Sequence, residues 1–91
     1  MDRMAKHIIF KGQVQGVGFR YTSYNIARRY DITGFVRNLP DRTVEMLVQG
    51  PTQDVDNCIA CIEDCFSGHI REKEMATVPC NPTYTDFGIT G

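Results

Sequence analysis

Apolar residues alternate with polar ones in short runs and recur at helical spacing in two longer stretches. Residues 6–14 read as a strand: Ile8, Phe10 and Val14 share one side with Gly12 between them, and Lys11 and Gln13 take the other. A glycine inside such a pattern marks a bulge or a close backbone approach. Over residues 19–30, Phe19, Ser23, Ile26, Ala27 and Tyr30 return to one side of a helix, with Arg28 and Arg29 toward the other side or its borders. That helix has to stop by Gly34. Thr33-Gly34 leads into a second strand, Phe35 to Leu39, and Pro40-Asp41-Arg42 is a turn. In a third strand, Thr43 to Gln49, Val44, Met46 and Val48 alternate with Glu45, Leu47 and Gln49. Two strands this close in sequence form an antiparallel hairpin.

Gly50-Pro51-Thr52 breaks the third strand and starts a second helix, with Thr52 as N-cap and Asp54 and Asp56 favouring the helix dipole. Val55, Ile59, Ile62 and Phe66 form its buried stripe, and Gly68 ends it. Ile70 to Val78 is a charged fourth strand, Pro79 to Pro82 a loop, and Tyr84 to Ile89 a short last strand. The order β-α-β-β-α-β, with that short fifth strand, predicts an α+β fold. It is the ferredoxin-like split βαβ sandwich, two helices on one face of a mainly antiparallel sheet of four to five strands. Two helices cannot cover both faces of such a sheet, so the other face stays partly solvated. The fold hosts metal carriers, RNA binders, regulatory domains and enzymes, so it does not decide function.

With 91 residues the chain makes one domain, residues 1–91, with one core. A net charge of −1 supplies no basic field for nucleic acid, and the aromatic pattern of RNA-binding relatives of this fold is missing. No apolar run approaches membrane-spanning length and the N-terminus lacks a signal-peptide core, so the expected setting is the cytoplasm with no membrane partner. The four cysteines are then expected as thiols.

The chemistry concentrates in Gly12-Gln13-Val14-Gln15-Gly16-Val17-Gly18-Phe19-Arg20, between the first strand and the first helix. Gly16 and Gly18 can take positive φ, which turns successive N–H groups into one concavity. The helix N-terminus adds partial positive charge, and Arg20 adds a fixed charge with a planar fork suited to phosphate. The plainer alternative is a tight strand-to-helix turn beside a surface arginine.

That run, followed by Thr33-Gly34-Phe35-Val36-Arg37-Asn38, then Asp41-x-x-Val44-Glu45 and Gly50, resembles the acylphosphatase family. The resemblance is nearly continuous over residues 8–50. Beyond them it thins to the helix stripe and Phe87-x-Ile89. It implies hydrolysis of the mixed anhydride of a carboxylic acid and phosphate, with no metal, no cofactor and no covalent enzyme intermediate. The loop matching Gln15, Gly16, Val17, Gly18 and Phe19 would cradle the phosphoryl oxygens, Arg20 would bind the phosphate, and Asn38 would orient the attacking water. The implied partner is a small-molecule acyl phosphate, with inorganic phosphate or sulfate as competing anions, acting on a monomer. So sparse a site is chemically adequate, because a carboxylate leaves readily and phosphoryl transfer needs chiefly positioning and charge stabilisation. Asn38 also has a plainer reading as a strand-end turn residue satisfying backbone groups.

Two residues depart from the family pattern. Asp31 stands where a helix-ending glycine is usual, implying a stability cost. Arg42 stands at the usual hairpin glycine, which puts the turn type and the loop beside Asn38 in question. Gly68 to Thr85 lacks the family's usual glycine-proline run.

Cys65 to Arg71 has the Cys-x5-Arg spacing of cysteine-dependent phosphatases, which need the cysteine at a strand end; here it belongs to a helix. Cys58-x2-Cys61 has a redox spacing but stands inside the helix instead of at its N-terminus. Cys58 and Cys65 border the apolar stripe and are expected in the core, with Cys61 more exposed. His7 and His69 stand far apart without a ligand cluster and suit solvated or capping roles. The alternative function is a non-catalytic anion- or acyl-phosphate-binding module.

Overall fold

A computed structural model describes residues 2–90 of the chain. The elements follow the predicted order: β1 (Arg3–Gly12), α1 (Phe19–Ala27), β2 (Thr33–Asn38), β3 (Val44–Pro51), α2 (Thr52–Cys65), β4 (Ile70–Val78) and β5 (Phe87–Ile89). They build one sheet in the order β4-β1-β3-β2-β5. β1 is antiparallel to β3 and β4, and β2 is antiparallel to β3. β5 runs parallel to β2, so the sheet is mixed.

Both helices pack on one face. Ile8, Phe10, Val36, Val44, Met46 and Val48 project from the sheet into a core shared with Phe19 and Ile26 of α1 and Val55, Ile59 and Ile62 of α2. α1 lies against β2 and β5, α2 against β1 and β3. Gly12 fulfils both meanings of a glycine in a strand. The β1–β4 register shifts between Lys11 and Gly12, and a Cβ at residue 12, whose φ is 127°, would collide with the His69 carbonyl oxygen.

The open face is more covered than simple alternation predicts. Leu47 and Gln49 are both buried. Leu47 is flanked in register by His7 and Phe35. Gln49 is covered because the chain after β4 folds back over it. Its Nε2 donates to the Asn81 carbonyl (2.7 Å) and to Thr33 Oγ1 (3.0 Å), while its Oε1 accepts from the Asn81 N–H (2.8 Å). Phe35 and Tyr84 meet with ring centroids 5.6 Å apart on the same segment.

Several boundaries move. β1 begins three residues earlier than its alternation suggests, because Arg3, Met4 and Ala5 continue the ladder with Pro51, Gly50 and Gln49. α1 stops at Ala27, and tighter bonds from Arg29 N–H to Ile26 O (3.0 Å) and Tyr30 N–H to Ala27 O (3.1 Å) finish it. Thr52 is inside α2, so Pro51 holds the N-cap position and no side chain caps that end. The Asp54 carboxylate instead accepts the Asp31 N–H at 2.9 Å. β5 begins at Phe87, since Asn81 bends the preceding chain: its Oδ1 accepts from Thr83 N–H (2.9 Å) and its carbonyl from Tyr84 N–H (3.3 Å).

Of the cysteines, Cys58 is buried as expected, and burial, with Cys61 nearby, pushes its thiol up to about 12. The other two are reversed: Cys61 is half-buried and Cys65 exposed. Cys65 is the last residue of α2. No helix among the described residues is long and apolar enough to cross a membrane.

Candidate active site

The strand-to-helix loop is fixed at both ends. Where β1 finishes, the Gln13 N–H donates to the His69 carbonyl at 2.9 Å, and Val14 is buried. At the other end Phe19 enters the core between Phe10 (5.1 Å between centroids) and Phe66 (4.6 Å). The side chain of Phe19 is therefore a packing anchor, and its contribution to the loop is backbone. Between the anchors Gly16 and Gly18 take φ of 78° and 77°. A Cβ at either would meet nothing within 4 Å, so the left-handed conformation alone calls for glycine. Gly18 is the N-cap of α1, no side chain caps that helix, and no acidic residue stands in its first turn. Its first N–H groups are thus open to an external anion.

Asn38 closes β2 opposite Val44. Its Oδ1 is buried and has no hydrogen-bond partner among the described residues. Gln15 does the opposite with its amide. Its Nε2 donates to the carbonyls of Leu39 (2.8 Å) and Thr43 (2.9 Å), tying the anion loop to the residues just after Asn38.

The turn between those carbonyls keeps its geometry despite Arg42. Leu39 N–H bonds Thr43 O (2.9 Å), Arg42 N–H bonds Leu39 O (3.2 Å), and Arg42 itself has φ 71°. This is a three-residue hairpin loop whose last position is left-handed, normally a glycine place. Asp41 secures it by accepting from Thr43 Oγ1 (2.6 Å) and Thr43 N–H (3.1 Å), bonds that lower its carboxyl pKa. Asp31, the other departure, has no positive φ, so no left-handed residue ends α1 there.

Gly16, Gly18, Arg20 and Asn38 line one cleft of about 240 Å³ with Val14 and Phe19. Tyr21 and Ile89 complete its lining. Arg20 makes no ion pair among the described residues. Gln15 and Val17 face a neighbouring groove on the other side of the loop, together with Arg42. The sequence reading therefore assembled the polar residues of the cleft and missed Tyr21 and Ile89. The signal for Tyr21 was available, as an aromatic residue in the first helical turn off the buried side. Neither histidine enters the cleft lining. His7 is paired instead of simply solvated: its Nε2 lies 2.7 Å from Glu45 Oε2. His69 Nδ1 is buried without a hydrogen-bond partner among the described residues. No three His, Cys, Asp or Glu side chains gather as a metal-ligand group among the described residues.

The acylphosphatase family model matches residues 6–89. The chain belongs to the acylphosphatase family. It is 45% identical over 75 residues to an acylphosphatase from Methanospirillum hungatei, covering 75% of this chain and 82% of that protein. Its fold superposes on an acylphosphatase crystal structure from Bacillus subtilis with a TM-score of 0.87 at 28% identity, covering 97% of this chain and 99% of the other. The same fold recurs within a larger protein: full-length HypF, crystallised in a phosphate- and nucleotide-bound form, matches 99% of this chain with 12% of its own length (TM-score 0.82, 30% identity). Family and fold make the chain an acylphosphatase-type enzyme, a hydrolase of acyl phosphates.

Proposed function

We propose that the cleft hydrolyses acyl phosphates by direct attack of water on a phosphoryl group held by the 15–20 loop and Arg20. The N–H groups of Gly16 to Phe19 and the Arg20 guanidinium bind the phosphoryl oxygens and carry the charge that builds on them. Asn38 Oδ1 accepts a hydrogen bond from the attacking water and aims its lone pair at phosphorus; a neutral amide does this without repelling an anionic substrate. The water oxygen bonds to phosphorus, the bond from phosphorus to the acyl oxygen breaks, and the acyl group departs as carboxylate. The water's proton passes to a phosphoryl oxygen, giving inorganic phosphate with no covalent enzyme intermediate. No acid has to protonate so good a leaving group.

The observation that carries this reading is the buried, unpartnered Asn38 Oδ1 in the same cleft as Arg20 and the uncapped start of α1. A turn residue would use that oxygen on the backbone, and a buried acceptor without a partner costs about 1–3 kcal/mol. Metal independence belongs to the same proposal. Among the described residues the cleft lining holds no carboxylate, thiol or imidazole, so the charge falls to Arg20 and the backbone. The exposed free thiols of Cys65 and Cys80 suit the cytoplasm.

Steady-state hydrolysis of acetyl phosphate in the presence of chelator is the test. Turnover should persist, inorganic phosphate or sulfate should compete, and an aryl phosphate monoester should be far poorer, since its leaving group needs more help. Activity lost to chelator and restored by a divalent ion contradicts the mechanism. Phosphate binding without turnover favours a binding module, the role open to a fold that also occurs as a small part of HypF.

A further inference from the structure

The lining of the cleft holds two kinds of group. One is polar: the backbone N–H groups of the loop, Arg20 and Asn38. The other is apolar, and part of it is exposed. Tyr21, in the first turn of α1, is 71% exposed, and Ile89 of β5 is 37% exposed, among the few large hydrophobic side chains the fold leaves in water. Each projects away from the core residues of its own element. The core-facing residues of α1 are Phe19, Ser23, Ile26 and Ala27, and Tyr21 points away from them. In β5, Phe87 beside Gly34 is buried, while Ile89, two residues on and beside Val36, opens on the cleft. Arg20 is the one charged residue in the lining among the described residues. The other nearby arginine, Arg42, lies in the groove across the loop.

We propose that Tyr21 and Ile89 form an acyl-group subsite that selects apolar, above all aromatic, acyl phosphates over those whose acyl part carries a second negative charge. The proposal rests on the hydrolase reading above. With the phosphoryl group on the loop and Arg20, the acyl group extends along the lining to a tyrosine ring and an isoleucine. Burying apolar surface between them releases water from both sides, and an aromatic acyl group gains ring contact as well. A second carboxylate there finds no second cation and loses hydration against an apolar wall. The acyl group binds these walls before and during the reaction alike, so their contribution appears in KM more than in kcat.

The experiment measures kcat and KM for benzoyl phosphate, acetyl phosphate and succinyl phosphate, with inorganic phosphate inhibition as a check on the phosphate site. Wild type should rank them in that order by kcat/KM. Tyr21→Ala should cut the benzoyl-to-acetyl ratio about tenfold, through KM, the modest end for apolar selectivity because the wall is open to water. Ile89→Ala should move the ratio the same way and Tyr21→Phe should restore it. Met75→Ala removes a comparably exposed hydrophobic side chain (42%) on β4 and should leave the ratio alone. The subsite is overturned if the ratio stays within about twofold of wild type in both alanine variants, or if wild type prefers succinyl phosphate. Should wild type hydrolyse all three while the ratio stays fixed, the subsite alone falls. If it hydrolyses none, the hydrolase reading falls and takes the subsite with it.

Discussion

Gln15 and Asn38 carry the same amide group and use it in opposite ways. Gln15 spends its donors on two backbone carbonyls and holds loop to hairpin, whereas Asn38 keeps a buried acceptor free. Arg20 complements that acceptor with a cation that makes no ion pair among the described residues. Arg20→Lys retains charge but loses the planar fork, so kcat/KM for acetyl phosphate should fall by about a hundred- to a thousandfold, with weaker phosphate inhibition. Near-normal turnover and phosphate affinity would remove Arg20 from the anchor role. Cys65 should be dispensable. It is exposed at the end of a helix, away from the cleft lining, so Cys65→Ser should keep both turnover and thermal stability. An inactive but folded Cys65→Ser protein would revive a cysteine-phosphatase mechanism.

At the level of elements, the anion loop and the β2–β3 hairpin act as one unit, because Gln15 grips the carbonyls on either side of the turn. The turn is strained at a single residue, Arg42 with φ 71°. The left-handed conformation costs a non-glycine residue about 1–2 kcal/mol, and glycine gives part of that back as unfolded-chain entropy. Arg42→Gly should therefore stabilise the protein by about 0.5–1 kcal/mol, seen as a higher Tm, with hydrolysis unchanged. A lower Tm would mean that the Arg42 side chain contributes more in its groove than its backbone costs. Element order, the helix stripes and the glycine turn between β1 and α1 were all legible in the sequence, since each depends on periodicity or on glycine chemistry between close neighbours. The burial of Gln49 was not, because it depends on Asn81 returning across the sheet. The exposure of Cys65 was missed for a related reason: its angular position on the helix is right for the core, but the helix ends there.

Across the whole molecule, the two faces of the sheet divide the work. The helix face holds the core, with the cleft at one end of it. The open face ties strands together through Glu45, which bonds His7 of β1 and Arg37 of β2 from its place on β3. Burial pushes the Glu45 carboxyl up, but the His7 and Arg37 hydrogen bonds outweigh it and hold its pKa below the ordinary 4.5. A lowered folded-state carboxyl stabilises the fold above its unfolded value, and that share is lost as pH falls through the lowered one. The stability gap between wild type and Glu45→Gln, measured by urea unfolding, should hold at neutral pH and narrow below 4.5. A gap independent of pH would mean that the charge on Glu45 is not what binds the strands.

The division of labour inside the cleft is the central claim, and Asn38→Ala tests it most directly. One preparation should be assayed for acetyl phosphate turnover, inorganic phosphate inhibition and thermal unfolding. If Asn38 directs the water while the loop and Arg20 hold the phosphate, kcat and kcat/KM should fall together, by about a hundredfold or more, with phosphate inhibition unchanged. Thermal stability should hold or rise, because the variant removes a buried acceptor that has no partner. If phosphate inhibition weakens as much as hydrolysis slows, Asn38 binds substrate and does not direct water; if neither quantity moves, it is a turn residue and the proposed mechanism is wrong.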